Sequence, residues 1–208
     1  MLNENVGYIP ENVPSLVHDL PESTYHGSKL VLTSTRARKL ITHTPAHLNH
    51  EMNNPRDTAS FVFGRLVHCM SLRPDDVNKE FAMWNPPCDA TGKTLDRRTK
   101  QGKEAYANFQ PTLGSRDAVN QDVWLAAEAS SRSVVSTLNG IGYVDDAIIE
   151  ASAYAVLNDV LCAARPDIIL QQKSGVVTLI DVKTTDDLNE YAFRRSFRKY
   201  GYAYQLQH

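Results

Sequence analysis

Residues 165–183, with the sequence RPDIILQQKSGVVTLIDVK, decide the fold of this chain. Two apolar runs rich in β-branched side chains, 168–170 and 176–180, are separated by a polar segment that ends in glycine. Such runs around a short polar break predict two adjacent antiparallel strands joined by a turn. The residues just before the first run and just after the second should therefore meet at one end of a sheet.

Two carboxylates and one amine occupy that predicted end. Asp167 precedes the first strand, and Asp181, Val182 and Lys183 follow the second. Because side chains alternate along a strand, Asp181 and Lys183 point to the same face and Val182 to the other. Two acids can hold Mg²⁺ while a lysine positions hydroxide or stabilises charge on the phosphate, so the pattern predicts metal-dependent phosphodiester cleavage. A turn aspartate and a solvated edge lysine are the alternative interpretations of each residue taken singly.

These residues resemble the signature of the PD-(D/E)xK nuclease superfamily, with Pro166-Asp167 as its first part and Asp181-Val182-Lys183 as its second. Further motifs, in the same order along the chain, resemble the nuclease domain of RecE-type exodeoxyribonuclease VIII from phages and prophages. They are LTST at 32–35, TPAH at 44–47, FGRLVHCMSL at 63–72, DVKTTDD at 181–187 and YGYAYQ at 200–205. The similarity runs, with gaps, from about Leu30 to the last residue.

The resemblance implies an α/β fold of the restriction-endonuclease-like type, with a central mixed β-sheet flanked by helices. It implies that His68, in a G-x-x-x-H motif that starts at Gly64, is a metal ligand, although a lone histidine on an apolar helix is more often a core residue. It also assigns the backbone carbonyl of Val182 to the metal and places Glu150 near it, where a surface glutamate is the alternative. The expected cofactor is Mg²⁺ or Mn²⁺, and a histidine ligand would favour Mn²⁺.

Two basic segments are candidates for contact with DNA phosphates, although a run of charge is usually only a solvated surface. The first contains Lys93, Arg97, Arg98, Lys100 and Lys103, and the second contains Arg194, Arg195, Arg198 and Lys199. Gln205 resembles the glutamine of the related family's Q-x-x-x-Y helix and is expected to contribute to DNA binding. Gly92-Lys93-Thr94 lacks the upstream glycine of a Walker A loop, because Pro87 stands there, so ATP is not an expected partner.

The composition is that of an ordinary globular protein, with 42% hydrophobic and 22% charged residues. A formal net charge of −2 argues against a generally basic nucleic-acid coat but not against a local DNA-binding patch. Three cysteines without C-x-x-C spacing indicate reduced thiols and disfavour an iron–sulfur nuclease, which needs four. No apolar run approaches the roughly 20 residues of a membrane span. We therefore expect a soluble protein without a membrane partner, in the cytoplasm of a bacterial host cell.

The chain is expected to comprise an extended arm over 1–29 and a nuclease domain over 30–208. Helices are predicted at 36–41 (capped by Ser34 or Thr35), 46–52, 59–72, 104–109 and 121–138, and one or two helices are predicted over 188–204. Strands are predicted at 81–84 and, around Glu150, within 147–157. By comparison with related nuclease domains, the C-terminal part is expected to be missing.

The expected function is a metal-dependent DNA exonuclease that digests linear duplex DNA from 5′ to 3′ in phage-type recombination. The resemblance implies a single-strand annealing protein as partner and a ring-shaped homo-oligomer. Three alternatives stay open. They are another PD-(D/E)xK nuclease of RecB-like or CRISPR-associated type, an endonuclease of the same superfamily, and a non-catalytic truncated module for binding or assembly.

Overall fold

The computed structural model describes residues 2–3, 7–54, 58–141, 147–171 and 174–203 of the chain. The chain divides into two compact units, the first formed by 1–56 with 143–208 and the second by 57–142.

The helices are α1 (Glu22–Gly27), α2 (Ser34–Thr42), α3 (Pro45–Asn53), α4 (Ala59–Leu72), α5 (Val77–Glu80), α6 (Lys100–Phe109), α7 (Gln121–Gly140) and α8 (Glu190–Tyr200). The strands are β1 (Leu2–Asn3), β2 (Gly7–Tyr8), β3 (Ser15–Val17), β4 (Leu32–Thr33), β5 (Phe81–Trp84), β6 (Asp117–Asn120), β7 (Ile148–Ile149), β8 (Ser152–Leu157), β9 (Val160–Ala164), β10 (Ile168–Gln171) and β11 (Val177–Ile180). Within these described ranges, every helix is too short or too polar to cross a membrane.

The first unit contains a four-stranded mixed sheet in the order β3-β8-β9-β4. β8 runs antiparallel to β3 and β9, whereas β4 is parallel to β9. Helix α1 packs on this sheet, where Tyr25 is buried in a cluster with Val31, Tyr154 and Ala163. A second sheet, in the order β11-β10-β7, is antiparallel throughout. The predicted α/β class, with a mixed sheet and helices beside it, is confirmed.

The strand pair predicted for the motif is also confirmed. β10 and β11 are antiparallel, with Ile168 opposite Ile180 and Gln171 opposite Val177. The connection contains Gly175 at a φ of +83°, the left-handed conformation that glycine adopts without a steric cost.

The stretch 147–157 forms two strands rather than one. Glu150 separates β7 from β8 and has a φ of +48°, so the chain leaves one sheet and enters the other at this residue. The next hairpin, β8 to β9, was not predicted. Its two-residue turn, Asn158-Asp159, has φ values of +50° and +64°, as in the type I′ turns that match the twist of paired strands.

Two helix boundaries in the first unit differ from the prediction for local reasons. The cap of α2 is Thr33, not Ser34 or Thr35, because the Thr33 hydroxyl accepts a hydrogen bond from the Arg36 N–H at 3.4 Å. The segment 188–204, predicted to form one or two helices, contains α8, which ends at Tyr200 because Gly201 takes a left-handed φ of +65°.

In the second unit, α4 and α7 pack against each other beside the parallel strand pair β5-β6. Helix α4 and strand β5 have the predicted limits of 59–72 and 81–84. Helix α6 begins at Lys100, earlier than predicted, because the Thr99 hydroxyl caps it by accepting from the Gly102 N–H at 3.1 Å. The buried core of this unit comprises Leu66, Val67, Cys69, Val77, Phe81, Val119 and Ala127.

Candidate active site

The end of β7, the start of β10 and the end of β11 lie side by side at one end of the β7-β10-β11 sheet in the first unit. Ile168, the first residue of β10, lies opposite Ile180, the last residue of β11. On its other side, Ile168 lies opposite Ile149, the last residue of β7. The residues that follow β7, precede β10 and follow β11 are therefore neighbours across the sheet. They are Glu150, Asp167 and Asp181.

Asp167 is the central residue of this end and is only 9% exposed. Its carboxylate Oδ2 accepts a hydrogen bond from the Val182 N–H at 2.5 Å. Its backbone carbonyl accepts a hydrogen bond from the Glu150 N–H at 3.0 Å. The two bonds tie Asp167 to both neighbouring chain segments, so the position of its carboxylate is set by the backbone on either side.

Lys183 and Asp181 lie on the same side of the chain, as the alternation of side chains predicts. The Lys183 Nζ is 2.6 Å from the Asp181 Oδ2, and the two side chains are 36% and 30% exposed. Val182 between them is buried. A half-exposed lysine paired with one carboxylate, next to a second carboxylate, provides a positive charge within reach of a bound phosphate.

An aromatic residue that was not predicted as part of the site approaches Lys183. The Lys183 Nζ lies 5.9 Å from the centre of the Tyr202 ring, within the range of a cation–π contact. Burial raises the pKa of the Tyr202 hydroxyl, and Tyr200 and Asp181 raise it further. Tyr202 therefore remains a neutral hydrogen-bonding phenol beside Lys183 at physiological pH.

Arg165 anchors the chain segment that leads into Asp167, and it was also not predicted as a functional residue. Its guanidinium donates to the Ser152 hydroxyl at 2.7 and 2.8 Å and to the Leu20 carbonyl at 2.8 Å. Its Cζ lies 4.3 Å from the centre of the Tyr25 ring, and burial lowers the pKa of the guanidinium. These contacts fix the chain two residues before Asp167. The sequence shows an arginine directly before Pro166-Asp167, but it does not indicate the role of this arginine, because its partners are remote in sequence.

Glu150 adopts a backbone conformation that is uncommon for a residue with a side chain. Its φ of +48° lies in the left-handed region, where non-glycine residues cost about 1 kcal/mol or more and are often found at functional sites. The bond from its N–H to the Asp167 carbonyl accompanies this conformation. Its role as a metal ligand stays a prediction.

His68 lies on α4 in the second unit, partly buried between the core residues Val67 and Cys69. Among the residues that the structure describes, no three His, Cys, Asp or Glu side chains form a group that could hold a metal ion. His68 as a ligand, and the Val182 carbonyl as another, therefore stay predictions. Asp167 and Asp181 have the chemistry that a metal of this kind needs, because Mg²⁺ and Mn²⁺ prefer carboxylate oxygens.

The family model described as "PDDEXK-like domain of unknown function (DUF3799)" matches residues 38–208. The chain belongs to this family. Membership supports a nuclease that binds DNA, and PDDEXK nucleases generally use divalent metal ions. The finer resemblance to RecE-type exodeoxyribonuclease VIII stays a prediction.

A curated protein named "Flap endonuclease 1", from Theileria parva, is 20% identical to this PDDEXK-like domain over 151 residues. The match covers 70% of this chain and 31% of that protein, so the chain spans about a third of the relative's length. No solved structure matches the chain significantly.

The first basic segment of the PDDEXK-like domain lies in the second unit. Arg98 is 90% exposed and pairs with Asp96 at 2.5 Å, and this hydrogen bond lowers the pKa of the Asp96 carboxyl to about 2. The Arg97 Cζ lies 3.4 Å from the centre of the Tyr106 ring. Lys100 and Lys103 are exposed in the first turn of α6. Arg97 and Arg98, both predicted to contact DNA, thus already interact with Tyr106 and Asp96 within this unit.

The second basic segment lies on α8 in the first unit. Arg194 pairs with Glu190 at 2.7 Å, and both side chains are at least 70% exposed. Arg195 and Arg198 are also exposed on this helix. Gln205 lies outside the described residues.

Proposed function

We propose that this PDDEXK-like domain is a metal-dependent deoxyribonuclease that digests linear duplex DNA from its ends. The observation that carries the proposal is the meeting of Asp167, Asp181 and Lys183 at one end of the β7-β10-β11 sheet. Two carboxylates and a lysine in this arrangement match the residue types of the family signature, in a chain that belongs to the family.

Each residue has a distinct part in the proposed reaction. Asp167 and Asp181 would hold a divalent ion, which would supply positive charge against the scissile phosphate and lower the pKa of a bound water. Asp167 is held by the Val182 N–H, so its carboxylate needs little reorganisation as the reaction proceeds. Lys183, oriented by Asp181, donates a hydrogen bond to the attacking oxygen or to a phosphate oxygen on which charge develops.

The remaining predicted residues support this centre. Glu150 and the Val182 carbonyl, in the same unit as Asp167 and Asp181, are the further ligands in this proposal, with Mg²⁺ or Mn²⁺ as the cofactor, and the resemblance alone supports His68 as a ligand. The exposed cations of the two basic segments bind DNA phosphates, an interaction that weakens as salt concentration rises. The resemblance to RecE-type nucleases supports 5′ to 3′ digestion, a role in phage-type recombination, a single-strand annealing partner and a ring-shaped oligomer.

End-labelled linear duplex DNA and closed circular DNA, each incubated with Mg²⁺ or Mn²⁺, test the proposal. The linear substrate should be degraded and the circle left intact. Lys183→Ala should slow degradation by about 100-fold or more, because it removes a group that acts on developing charge. Lys79→Ala is the matched control, since Lys79 also pairs with an aspartate at 2.6 Å but is 72% exposed in the second unit. Equal activity of Lys183→Ala and the control would refute the assigned role.

An endonuclease is the second candidate, and the similarity to the flap endonuclease of Theileria parva is the observation that favours it. Cleavage of the closed circle, lost in Lys183→Ala, would establish this alternative. Metal binding by titration without cleavage of either DNA would instead indicate a non-catalytic module.

A further inference from the structure

Helix α8 carries two chemically different surfaces. Phe193, Phe197 and Tyr200 are spaced four and three residues apart, so they share one side of the helix. Arg194 and Arg198 are also four residues apart and lie on another side. The helix has four basic residues and one acidic residue, although the whole chain has a net charge of −2. Cations beside exposed aromatic rings are typical of surfaces that bind single-stranded nucleic acid.

The aromatic side chains form a continuous series that ends at the candidate active site. The ring centres of Phe193 and Phe197 are 6.1 Å apart, and those of Phe197 and Tyr202 are 5.9 Å apart. Tyr200 stacks on Tyr202 with 6.0 Å between ring centres and an interplanar angle of 26°. Tyr202 in turn lies 5.9 Å from the Lys183 Nζ.

Tyr200 is the member of this series that is placed to meet a ligand. It is 49% exposed, with Tyr202 on one side. The Lys199 Nζ lies 5.2 Å from the centre of the Tyr200 ring, so a cation accompanies the exposed aromatic surface. The Tyr200 ring stacks on Tyr202, which contacts Lys183, and lies next to the Lys199 cation. It can therefore accept a flat partner with little loss of conformational freedom.

We propose that Tyr200 stacks on an unpaired base of the DNA strand whose phosphate lies at Lys183, with Tyr202 as the support beneath it. The proposal rests on the proposed nuclease function and names its substrate class, DNA with an unpaired segment at the site of cleavage. An internal base pair has both faces covered by its neighbours, so an aromatic ring outside the helix can stack only on an unpaired or terminal base. Lys199 then lies near the adjacent phosphate, and Arg198 further along the strand.

Binding of two DNA duplexes, one blunt and one with a four-nucleotide unpaired tail carrying 2-aminopurine, tests the proposal in a metal-free buffer with chelator. Tyr200→Leu removes the aromatic ring but keeps an apolar side chain, whereas Tyr200→Phe keeps the ring. Tyr191→Leu is the matched control, because Tyr191 is 77% exposed and lies nine residues before Tyr200, on the opposite side of α8.

Tyr200→Leu should weaken binding of the tailed duplex by about tenfold and weaken binding of the blunt duplex, which offers only a terminal base pair, by less. It should also abolish quenching of 2-aminopurine fluorescence, while Tyr200→Phe and Tyr191→Leu retain both affinity and quenching. Unchanged binding of the tailed duplex by Tyr200→Leu would overturn the proposal, as would an equal loss on both duplexes.

Cleavage by the wild type and Lys183→Ala separates this proposal from the nuclease function. Lysine-dependent cleavage together with normal binding by Tyr200→Leu overturns the stacking site and leaves the nuclease intact. Ring-dependent binding of the tailed duplex without any cleavage overturns the nuclease and leaves the stacking site intact. Failure of the wild type to bind or to cleave either duplex overturns both.

Discussion

Replacement of Gly102 by alanine should destabilise the second unit, although the position is in a helix. Gly102 is buried in the first turn of α6, and its N–H donates to the capping hydroxyl of Thr99. A Cβ placed on Gly102 would lie 1.9 Å from the carbonyl oxygen of Asp96 and 2.9 Å from the backbone nitrogen of Arg97. Both neighbours are backbone atoms, so a rotamer change cannot relieve the contact.

Two effects of opposite sign determine how much Gly102→Ala changes the free energy of unfolding. Alanine is favoured over glycine within a helix by about 1 kcal/mol. A contact of 1.9 Å is more than 1 Å shorter than ordinary carbon–oxygen packing, and overpacking of this kind costs about 1–3 kcal/mol or more. The segment around Asp96 must move away from α6, and the cap at Thr99 is disturbed with it. We therefore expect Gly102→Ala to lower the free energy of unfolding by about 2 kcal/mol, and Tm by about 4–8 °C.

Gly140→Ala is the matched control for this experiment. Gly140 is the last residue of α7, and a Cβ there would meet nothing within 4 Å among the described residues. The same substitution should therefore raise the free energy of unfolding by up to about 1 kcal/mol. Urea denaturation followed by tryptophan fluorescence measures both variants. Stabilisation by Gly102→Ala equal to that by Gly140→Ala would refute the close packing of Asp96 on α6.

Three further predictions concern the first unit. Asp167→Asn should reduce cleavage of linear DNA by about 100-fold while changing the urea midpoint little, because an amide oxygen still accepts the Val182 N–H. Arg165→Ala should lower the free energy of unfolding by about 2–4 kcal/mol, since it removes three hydrogen bonds of a partly buried guanidinium; a loss below about 0.5 kcal/mol would contradict this. Tyr154→Phe should stabilise the protein by about 1 kcal/mol, because the buried Tyr154 hydroxyl has no hydrogen-bond partner among the described residues. Burial also raises the pKa of Tyr154 to about 12. Tyr154 therefore releases its proton more readily in the unfolded chain, and the wild type should lose stability as pH rises from about 10 to about 12. Unfolding measured over a pH series should show that Tyr154→Phe lacks this loss.

Elements with strong local signals could be predicted to the residue. Helix α4 has a capping Thr58, an apolar surface and a proline two residues after its end, so its limits follow from nearby sequence. The β8–β9 hairpin also has a local signal, since Asn158-Asp159 is a dipeptide that tolerates the left-handed turn. That signal was available and was missed.

Other features of the site depend on contacts between residues that are remote in sequence. Arg165 is stabilised by the carbonyl of Leu20, which is 145 residues away, and no local pattern indicates that pairing. The break at Glu150 depends on its bond to the Asp167 carbonyl across two strands. Tyr202 lies near Lys183 just after α8 ends at the left-handed Gly201. In each case the sequence shows the residue, but its partner depends on the tertiary structure and could not be predicted from the neighbouring sequence.

Asp167 has a structural role as well as the proposed catalytic one, because the apolar pattern of β11 does not select one face. Val177 and Leu179 are 54% and 62% exposed, although they are as apolar as Ile180, so a shift of one residue would carry little hydrophobic cost. Such a shift would move Asp181 and Lys183 to the opposite face and separate them from Asp167. The bond from the Val182 N–H to the Asp167 carboxylate opposes this shift, since it forms in only one register. The same carboxylate that is proposed to bind the metal therefore also aligns the strand that precedes the other two proposed catalytic groups.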